Sequence, residues 1–442
     1  MSTSHSPNID IAAALAEAEE LYRERHPKSL AQHRDACAAM PGGNTRSAIH
    51  VDPFPLTMVR GEGARLWDLD GHEYADFLSE FTAGIYGHSH PAIRQAITAA
   101  LEGGLNFGAH NAAEARFAAA ICSRFPSIEL VRFTNSGTEA NLMAVSAARA
   151  ITGRPKILVF EGGYHGGVFY FRGHGSPLNA PFEYLLGRYN DLEAVEALVR
   201  PRRAELAAIL VEPMQGTTGC IPAERGFLAG LRALADDTGA LLIFDEVMTS
   251  RLAPGGLQEV HGILPDLTTL GKYIGGGMSF GAFGGRADIM ERFDPRRSDA
   301  FQHAGTFNNN LLTMNAGLVG LTEIYTPERA RTLNDGGARL RERLNAVVRR
   351  HGLAMQFTGL GSMFAVHMTD GPIRAQQDAE RGNAALRDLF YFDLLARGIW
   401  FAKRGMFALS IALEENDGDT LADAVEEFAQ TRAPLFEGVG AG

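Results

Sequence analysis

The sequence predicts an α/β fold: a mainly parallel, doubly wound sheet with helices on both faces. Three observations predict it. Between about residues 91 and 325, short apolar runs alternate with helical segments, the order that parallel strands joined by crossover helices require. The runs are Leu130–Phe133, Ile157–Phe160, Ala207–Val211 and Leu241–Phe244, and the helical segments 138–152, 191–200 and 225–238 separate them. Polar or glycine-rich motifs follow directly on these runs, and such sheets bind ligands beyond the carboxyl ends of their strands.

The other elements follow in order. Residues 9–25 form an amphipathic helix, with Ile11, Leu15, Leu21 and Tyr22 at helical spacing; it is expected to pack on a neighbour or on another subunit. A turn-rich stretch spans 40–47. Residues 57–78 read as a small meander, with Asp70-Gly71 as a hairpin turn. Segments 91–102 and 111–125 are helical, the second with Ala112, Ala115, Phe117, Ala118 and Ile121 apolar. After about 326 the composition changes. A long polar helix, Pro327–Arg350, precedes Met355–Thr358, Met363–His367, a helix near 382–397, Ile399–Lys403, Met406–Ala412 and a helix at 418–430. The expected division is a large domain (81–325) and a smaller α+β domain built from the N- and C-terminal segments: an N-terminal helix and meander (1–80), part of that small domain or of a dimer contact, and the C-terminal segment (326–442). Glu437–Gly442 is expected to fray.

Composition narrows the function. With 442 residues, 45% hydrophobic and 21% charged, the chain is of ordinary globular type. A net charge of -11 and the lack of a basic cluster argue against a nucleic-acid partner. Cys37, Cys122 and Cys220 are scattered and cannot all pair, which suits a reduced, cytoplasmic enzyme. The first ten residues carry neither a basic nor an apolar region, so no secretory signal is expected, and no apolar run reaches membrane length.

Chemistry enters at two strand ends. Asp-Leu-Thr-Thr-Leu-Gly runs into Lys272, with glycines just beyond, and Leu-Leu-Ile-Phe runs into Asp245. An amine and an acid at neighbouring strand ends are what pyridoxal phosphate requires: the amine forms a Schiff base with the aldehyde, and the acid pairs with the ring nitrogen. Val247 would pack on the ring face. In Phe133–Asn141, Ser136, Gly137 and Thr138 present amides and hydroxyls at a helix start, a ready anion site. Ser136-x-x-Glu139 is equally a capping box, and the two are compatible. In Glu161–Gly167, Tyr164 and His165 lie among glycines, where an aromatic can stack on a flat ring. In Val211–Gly216, Glu212 could orient groups near the cofactor and Gln215 could approach its phenolic oxygen. Thr306, in a polar loop (304–310), could reach a phosphate. The histidines show no metal-ligand spacing, and no metal is expected.

Assembled, these motifs resemble the class III aminotransferases of pyridoxal-phosphate fold type I over about residues 35–430. The carriers are Asn-Ser-Gly-Thr-Glu-Ala, Gly-Gly-Tyr-His-Gly, Val-Glu-Pro-Met-Gln-Gly, Phe-Asp-Glu-Val-Met and Leu-Gly-Lys-Tyr-Ile-Gly-Gly-Gly. Pro-Gly-Gly-Asn (41–44) and Gly-Ala-Phe-Gly-Gly-Arg (281–286) are similar to glutamate-1-semialdehyde aminomutase. Residues 44–47, 80–89, 248–254, 305–310 and 403–405 match better the β-amino-acid aminotransferases that act on β-phenylalanine. The resemblance implies a homodimer with its active site at the subunit interface, with Thr306 serving the other subunit's phosphate. It implies that Lys272 binds the cofactor and shuttles the proton, that Tyr164 stacks on the ring, that Arg404 binds the carboxylate of 2-oxoglutarate or glutamate, and that Arg46 binds that of the β-amino acid. Ile85, Tyr86, Met248 and Ala402 would line the side-chain pocket. Aminomutase activity on glutamate-1-semialdehyde is the alternative.

Overall fold

The computed structural model describes residues 10–436; the expectation for Glu437–Gly442 lies outside them. Helix α1, Ile11–Arg25, starts at Asp10, whose carboxylate accepts the Ala12 N–H at 2.9 Å. Tyr22 is buried, whereas Leu21 stays 47% exposed, so the apolar stripe is narrower than the spacing predicts. A second helix, α2 (Pro27–Cys37), has no counterpart in the sequence reading. Its sequence is polar and only Ser29 is buried. It is held at its start by Asp70, which accepts the Lys28 and Ser29 N–H groups at 2.8 and 3.0 Å. The hairpin turn thus doubles as a helix cap.

The meander is β1 (Met58–Glu62), β2 (Arg65–Asp68) and β3 (Glu73–Asp76), paired antiparallel. Helices α3 (Pro91–Gly103) and α4 (Ala112–Arg124) follow where expected. Then come β4 (Leu130–Thr134), α5 (Gly137–Thr152), β5 (Lys156–Phe160), β6 (Glu183–Gly187) and β7 (Leu206–Val211). A small ribbon, β8 (Met214–Gln215) with β9 (Ile221–Pro222), leads on to β10 (Leu241–Asp245), β11 (Leu267–Gly271) and β12 (Gly281–Gly285). The large sheet has the order β4-β12-β11-β10-β7-β5-β6. Every neighbouring pair is parallel except those of β12, which runs antiparallel to both β11 and β4.

Strand β12, Gly-Ala-Phe-Gly-Gly, is absent from the sequence reading because glycine weakens a strand. Close approach explains it. A Cβ on Gly281 would stand 2.0 Å from the Ser136 carbonyl oxygen, and one on Gly285 2.1 Å from that of Asp266. The strand is stripped so that the loops beside it can close in.

Toward the C-terminus, the helix Pro327–Arg350 has the expected bounds. Strands β13 (Gln356–Leu360), β14 (Met363–His367) and β16 (Met406–Ala408) form an antiparallel sheet. The expected strand Ile399–Lys403 shortens to β15, Ile399–Trp400, and pairs parallel with β3 of the meander. The chain then turns at Gly405, whose φ is 95°. One apolar core holds Tyr22 and Phe77 together with Phe364, Phe390 and Phe428, so both ends of the chain share it. Among the described residues, no helix is long and apolar enough to cross a membrane.

Candidate active site

Strand β11 ends at Gly271, and Lys272 follows with φ 57°. That left-handed conformation costs a residue with a Cβ about 1–2 kcal/mol. The Lys272 Nζ donates to the Phe81 carbonyl at 3.0 Å. Phe81 itself lies in a turn where Ser79, Glu80, Phe81 and Thr82 all have positive φ. Asp76, the last residue of β3, braces that turn. Its Oδ1 accepts the Leu78 and Ser79 N–H groups at 2.8 and 2.9 Å, and its Oδ2 faces His88 Nε2 at 2.8 Å. Lys272 keeps some surface open to the cleft, yet its surroundings push the amine down to about 8. Burial acts first and the Arg404 and Arg46 cations add to it, while Asp245 opposes. The neutral amine this favours is the nucleophilic form.

Asp245 ends the adjacent strand and is buried. Its Oδ2 accepts from Asn141 Nδ2 at 2.8 Å and lies 2.8 Å from His165 Nδ1; its Oδ1 accepts the Val247 N–H at 3.0 Å. Facing a carboxylate, His165 Nδ1 carries the proton. Asn141 is locked in turn, because its Oδ1 accepts the Thr269 hydroxyl at 2.8 Å. One carboxylate oxygen is thus saturated, while the other retains acceptor capacity.

At the start of α5, Ser136 Oγ accepts the Glu139 N–H at 3.1 Å. Only the N-cap half of the expected capping box forms, because the Glu139 carboxylate accepts the Asn135 N–H at 2.7 Å instead of that of Ser136; the Gly137 and Thr138 amides of the first turn are left without intrahelical partners. Acting as acceptor, the Ser136 hydroxyl keeps its own proton for an anion. Thr138 Oγ1 accepts the Gly167 N–H at 3.3 Å. Val247 sits against this turn: a Cβ on Gly137 would be 2.9 Å from both Val247 methyls, and one on Gly271 3.1 Å from the nearer.

Half-buried Tyr164 meets Tyr170 edge-on, 6.0 Å between centroids, and donates its N–H to Glu212 Oε1 at 3.0 Å. Glu212 Oε2 accepts the Gly216 N–H at 3.1 Å. Burial, reinforced by Asp245, raises the Glu212 carboxyl to about 7 against the pull of His165 and these two amides. Gln215 donates from Nε2 to the Glu161 carbonyl at 2.8 Å, and its buried Oε1 has no partner. In this orientation its amide N–H braces the 161–162 turn, so an approach to a phenolic oxygen would require the amide to rotate.

These groups fit pyridoxal phosphate. The donor set offers free amides and a hydroxyl proton for the phosphate and a half-used carboxylate for a ring N–H. It also offers a shifted amine for the aldehyde and Val247 for the ring face.

Two predicted arginines converge. The Arg46 guanidinium lies 5.7 Å and that of Arg404 4.8 Å from the centroid of the Phe81 ring. Among the described residues neither forms an ion pair within 4.0 Å. Arg404 reaches only Met406 Sδ at 3.5 Å, its Nε is buried without a partner, and burial followed by Arg172 pushes its cation down to about 10. Met248 and Ala402 belong to the apolar cluster against which Phe81 packs. Ile85 and Tyr86 require correction. Ile85 is fully buried, and Tyr86 spends its hydroxyl on the Tyr273 carbonyl at 3.0 Å; both belong to the core beneath the lysine loop and expose no lining surface. Thr306 is exposed, on a loop whose Asn308 Oδ1 accepts from Asn135 Nδ2 at 2.9 Å.

Sequence reasoning assigned no role to Asn141 or to the Phe81 carbonyl and ring. Asparagine is a poor mid-helix residue, a signal that could have marked Asn141; nothing marks Phe81. Outside this site, His26, Asp68 and His72 place ligand atoms within 4.8 Å of one another, a group the histidine spacing did not predict. Those atoms are already bonded among themselves and to Tyr74, whose hydroxyl donates to Asp68 at 2.8 Å.

The aminotransferase class-III family matches residues 47–414. The chain is 53% identical to the β-phenylalanine transaminase of Variovorax paradoxus, over 95% of this chain and 96% of that protein. A solved β-phenylalanine aminotransferase structure from the same organism superposes with a TM-score of 0.95 at 52% identity, covering 96% and 99% of the two chains. A transaminase solved with pyridoxal phosphate bound gives a TM-score of 0.85 at 33% identity, covering 93% and 99%. The glutamate-1-semialdehyde 2,1-aminomutase of Sorangium cellulosum is 41% identical, over 86% of this chain and 90% of that protein.

Proposed function

This chain belongs to the class III aminotransferases, which are pyridoxal-phosphate enzymes, and from that premise we propose that it transfers the amino group of a β-amino acid resembling β-phenylalanine to 2-oxoglutarate. The products are a β-keto acid and glutamate, formed in ping-pong order. One observation carries the reading: two arginines from distant loops share the Phe81 ring beside Lys272, and neither has an acidic partner. In a β-amino acid the carboxylate stands one carbon further from the amine than in an α-amino acid. With the nitrogen held at the cofactor, one cation cannot suit both substrates, and two can, each in bidentate fashion. Arg46 takes the β-amino acid and Arg404 the oxo acid. The 53% identical relative supports the donor class.

Bound pyridoxal phosphate supplies the electron sink for the deprotonated substrate carbon. The chain supplies the rest. Lys272, uncharged, removes the proton from the amine-bearing carbon and later returns it. The Phe81 carbonyl orients Nζ. Asp245 keeps the ring nitrogen protonated, and Asn141 and His165 hold that carboxylate in place. Ser136, Gly137 and Thr138 anchor the phosphate. Thr306 completes the anchor from the second copy of a homodimer. The three unpaired cysteines suit a cytoplasmic setting.

The test is an amine-donor screen with 2-oxoglutarate as acceptor. β-Phenylalanine should outrun α-amino acids and ω-amines. Arg404→Ala should lose transfer to 2-oxoglutarate while keeping its cofactor absorbance. The 41% identical aminomutase favours one rival; conversion of glutamate-1-semialdehyde with no transfer to added 2-oxoglutarate would replace the proposal by that reading.

A further inference from the structure

Behind Arg404 lies a cavity of about 240 Å³, between the loop after Gln215 and the C-terminal sheet. It is many times the space of one water. Three arginines line it, Arg172, Arg387 and Arg404, against one carboxylate, Glu380. Three cations less one anion leave an excess of two positive charges. His367 also lines the cavity but adds no charge at neutral pH, because burial lowers its pKa further. Glu380 is engaged by Gln376 Nε2. Arg387 reaches a carboxylate, that of Asp388, only at 3.4 Å. The Nε atoms of Arg387 and Arg404 and the Thr217 hydroxyl are buried with no partner. Cations crowded into a recess with unused donors repel one another unless an anion joins them.

Arg404 is also the residue that links the cavity to the cleft, since it stacks on Phe81 beside Lys272. We propose that the cavity is the subsite for the second carboxylate of a dicarboxylic acceptor, held by Arg172 and Arg387 while Arg404 takes the first. This rests on the assignment of Arg404 to the oxo acid. A monocarboxylic acceptor needs Arg404 alone, whereas a dicarboxylic one also meets the unpaired donors behind it. The arrangement therefore selects acceptors by charge number.

The experiment measures KM for 2-oxoglutarate and for pyruvate in the holoenzyme, in Arg172→Gln and in Arg387→Gln, with cofactor absorbance as the check on folding. The expected result is a rise on the order of tenfold or more in KM for 2-oxoglutarate, as loss of a charged partner brings, with pyruvate hardly affected. Arg172→Lys should recover part of the loss by restoring the charge. Equal shifts for both acceptors, or no shift for either, overturn the proposal. Arg404→Ala separates the two levels. If it abolishes use of both acceptors while Arg172→Gln and Arg387→Gln discriminate nothing, the subsite fails and the assignment of Arg404 stands. If Arg404→Ala leaves both acceptors unaffected, that assignment fails as well.

Discussion

Lys272 departs from an ordinary lysine in one measurable way. Its amine is lowered to about 8, so it is charged below that pH and neutral above it. Only the neutral amine attacks an aldehyde. The rate at which apoprotein recaptures pyridoxal phosphate, followed by absorbance, should therefore climb as pH passes through about 8; a free lysine side chain would delay the climb to near 10.4. Lys272→Ala should lower turnover by at least about a thousandfold, and persistence of full-rate transamination would break the assignment. Phe81 offers a finer test. Phe81→Ala removes the ring beneath both arginines but keeps the carbonyl that accepts from Nζ. At about 0.5–1 kcal/mol per cation–π contact, KM for donor and acceptor should each rise roughly two- to fivefold in steady-state assays. Lys272 and Asp245 were legible because a charge closing an apolar run is conspicuous. Phe81 was not, since its part depends on a backbone turn and a ring face that no residue type announces.

At the level of elements, the turn 79–82 holds four consecutive left-handed residues, and Asp76 with His88 keeps it in place. The hydrogen bond to Asp76 raises the His88 pKa above its ordinary 6.5, against the opposing effect of burial. A histidine raised in the folded state stabilises fully below 6.5, and the gain is lost as pH rises through the raised value. The melting-temperature gap between wild type and His88→Gln should therefore be widest below pH 6.5 and shrink as pH rises above it in thermal scans. The start of α5 is the other sensitive element. Gly137→Ala would drive a methyl into Val247, an overpacking worth about 1–3 kcal/mol, and should weaken cofactor retention on dialysis. The parallel strands were legible from their apolar runs, and the helix Pro327–Arg350 from its length and charge. Strand β12 was not, because its glycines answer to the Ser136 and Asp266 carbonyls pressing on it. Helix α2 was not, because its anchor, Asp70, lies in another element.

For the molecule as a whole, a homodimer would give a solution mass of twice 47.7 kDa. Subunit mixing then tests whether Thr306 acts across the interface. Lys272→Ala and Thr306→Glu chains should each be inactive alone. A mixed dimer would combine intact Lys272 of one copy with intact Thr306 of the other, so activity should reappear on co-refolding. No recovery would place Thr306 in its own subunit's site. The N- and C-terminal segments were legible as one small α+β domain, but the strand pairing that unites them, β3 with β15, was not, since a two-residue strand carries no pattern. That union has a consequence during synthesis. The cleft draws on Arg46, Phe81, Ser136, Asp245, Lys272 and Arg404, and β12 must slot between β4 and β11 before the large sheet closes. A nascent chain still on the ribosome has long since released its phosphate loop and its lysine, yet it lacks the arginines' common setting until almost the last helix emerges. Transfer to 2-oxoglutarate would then report a finished polypeptide, and chains terminated before Arg404 would lack the cation proposed to hold the acceptor.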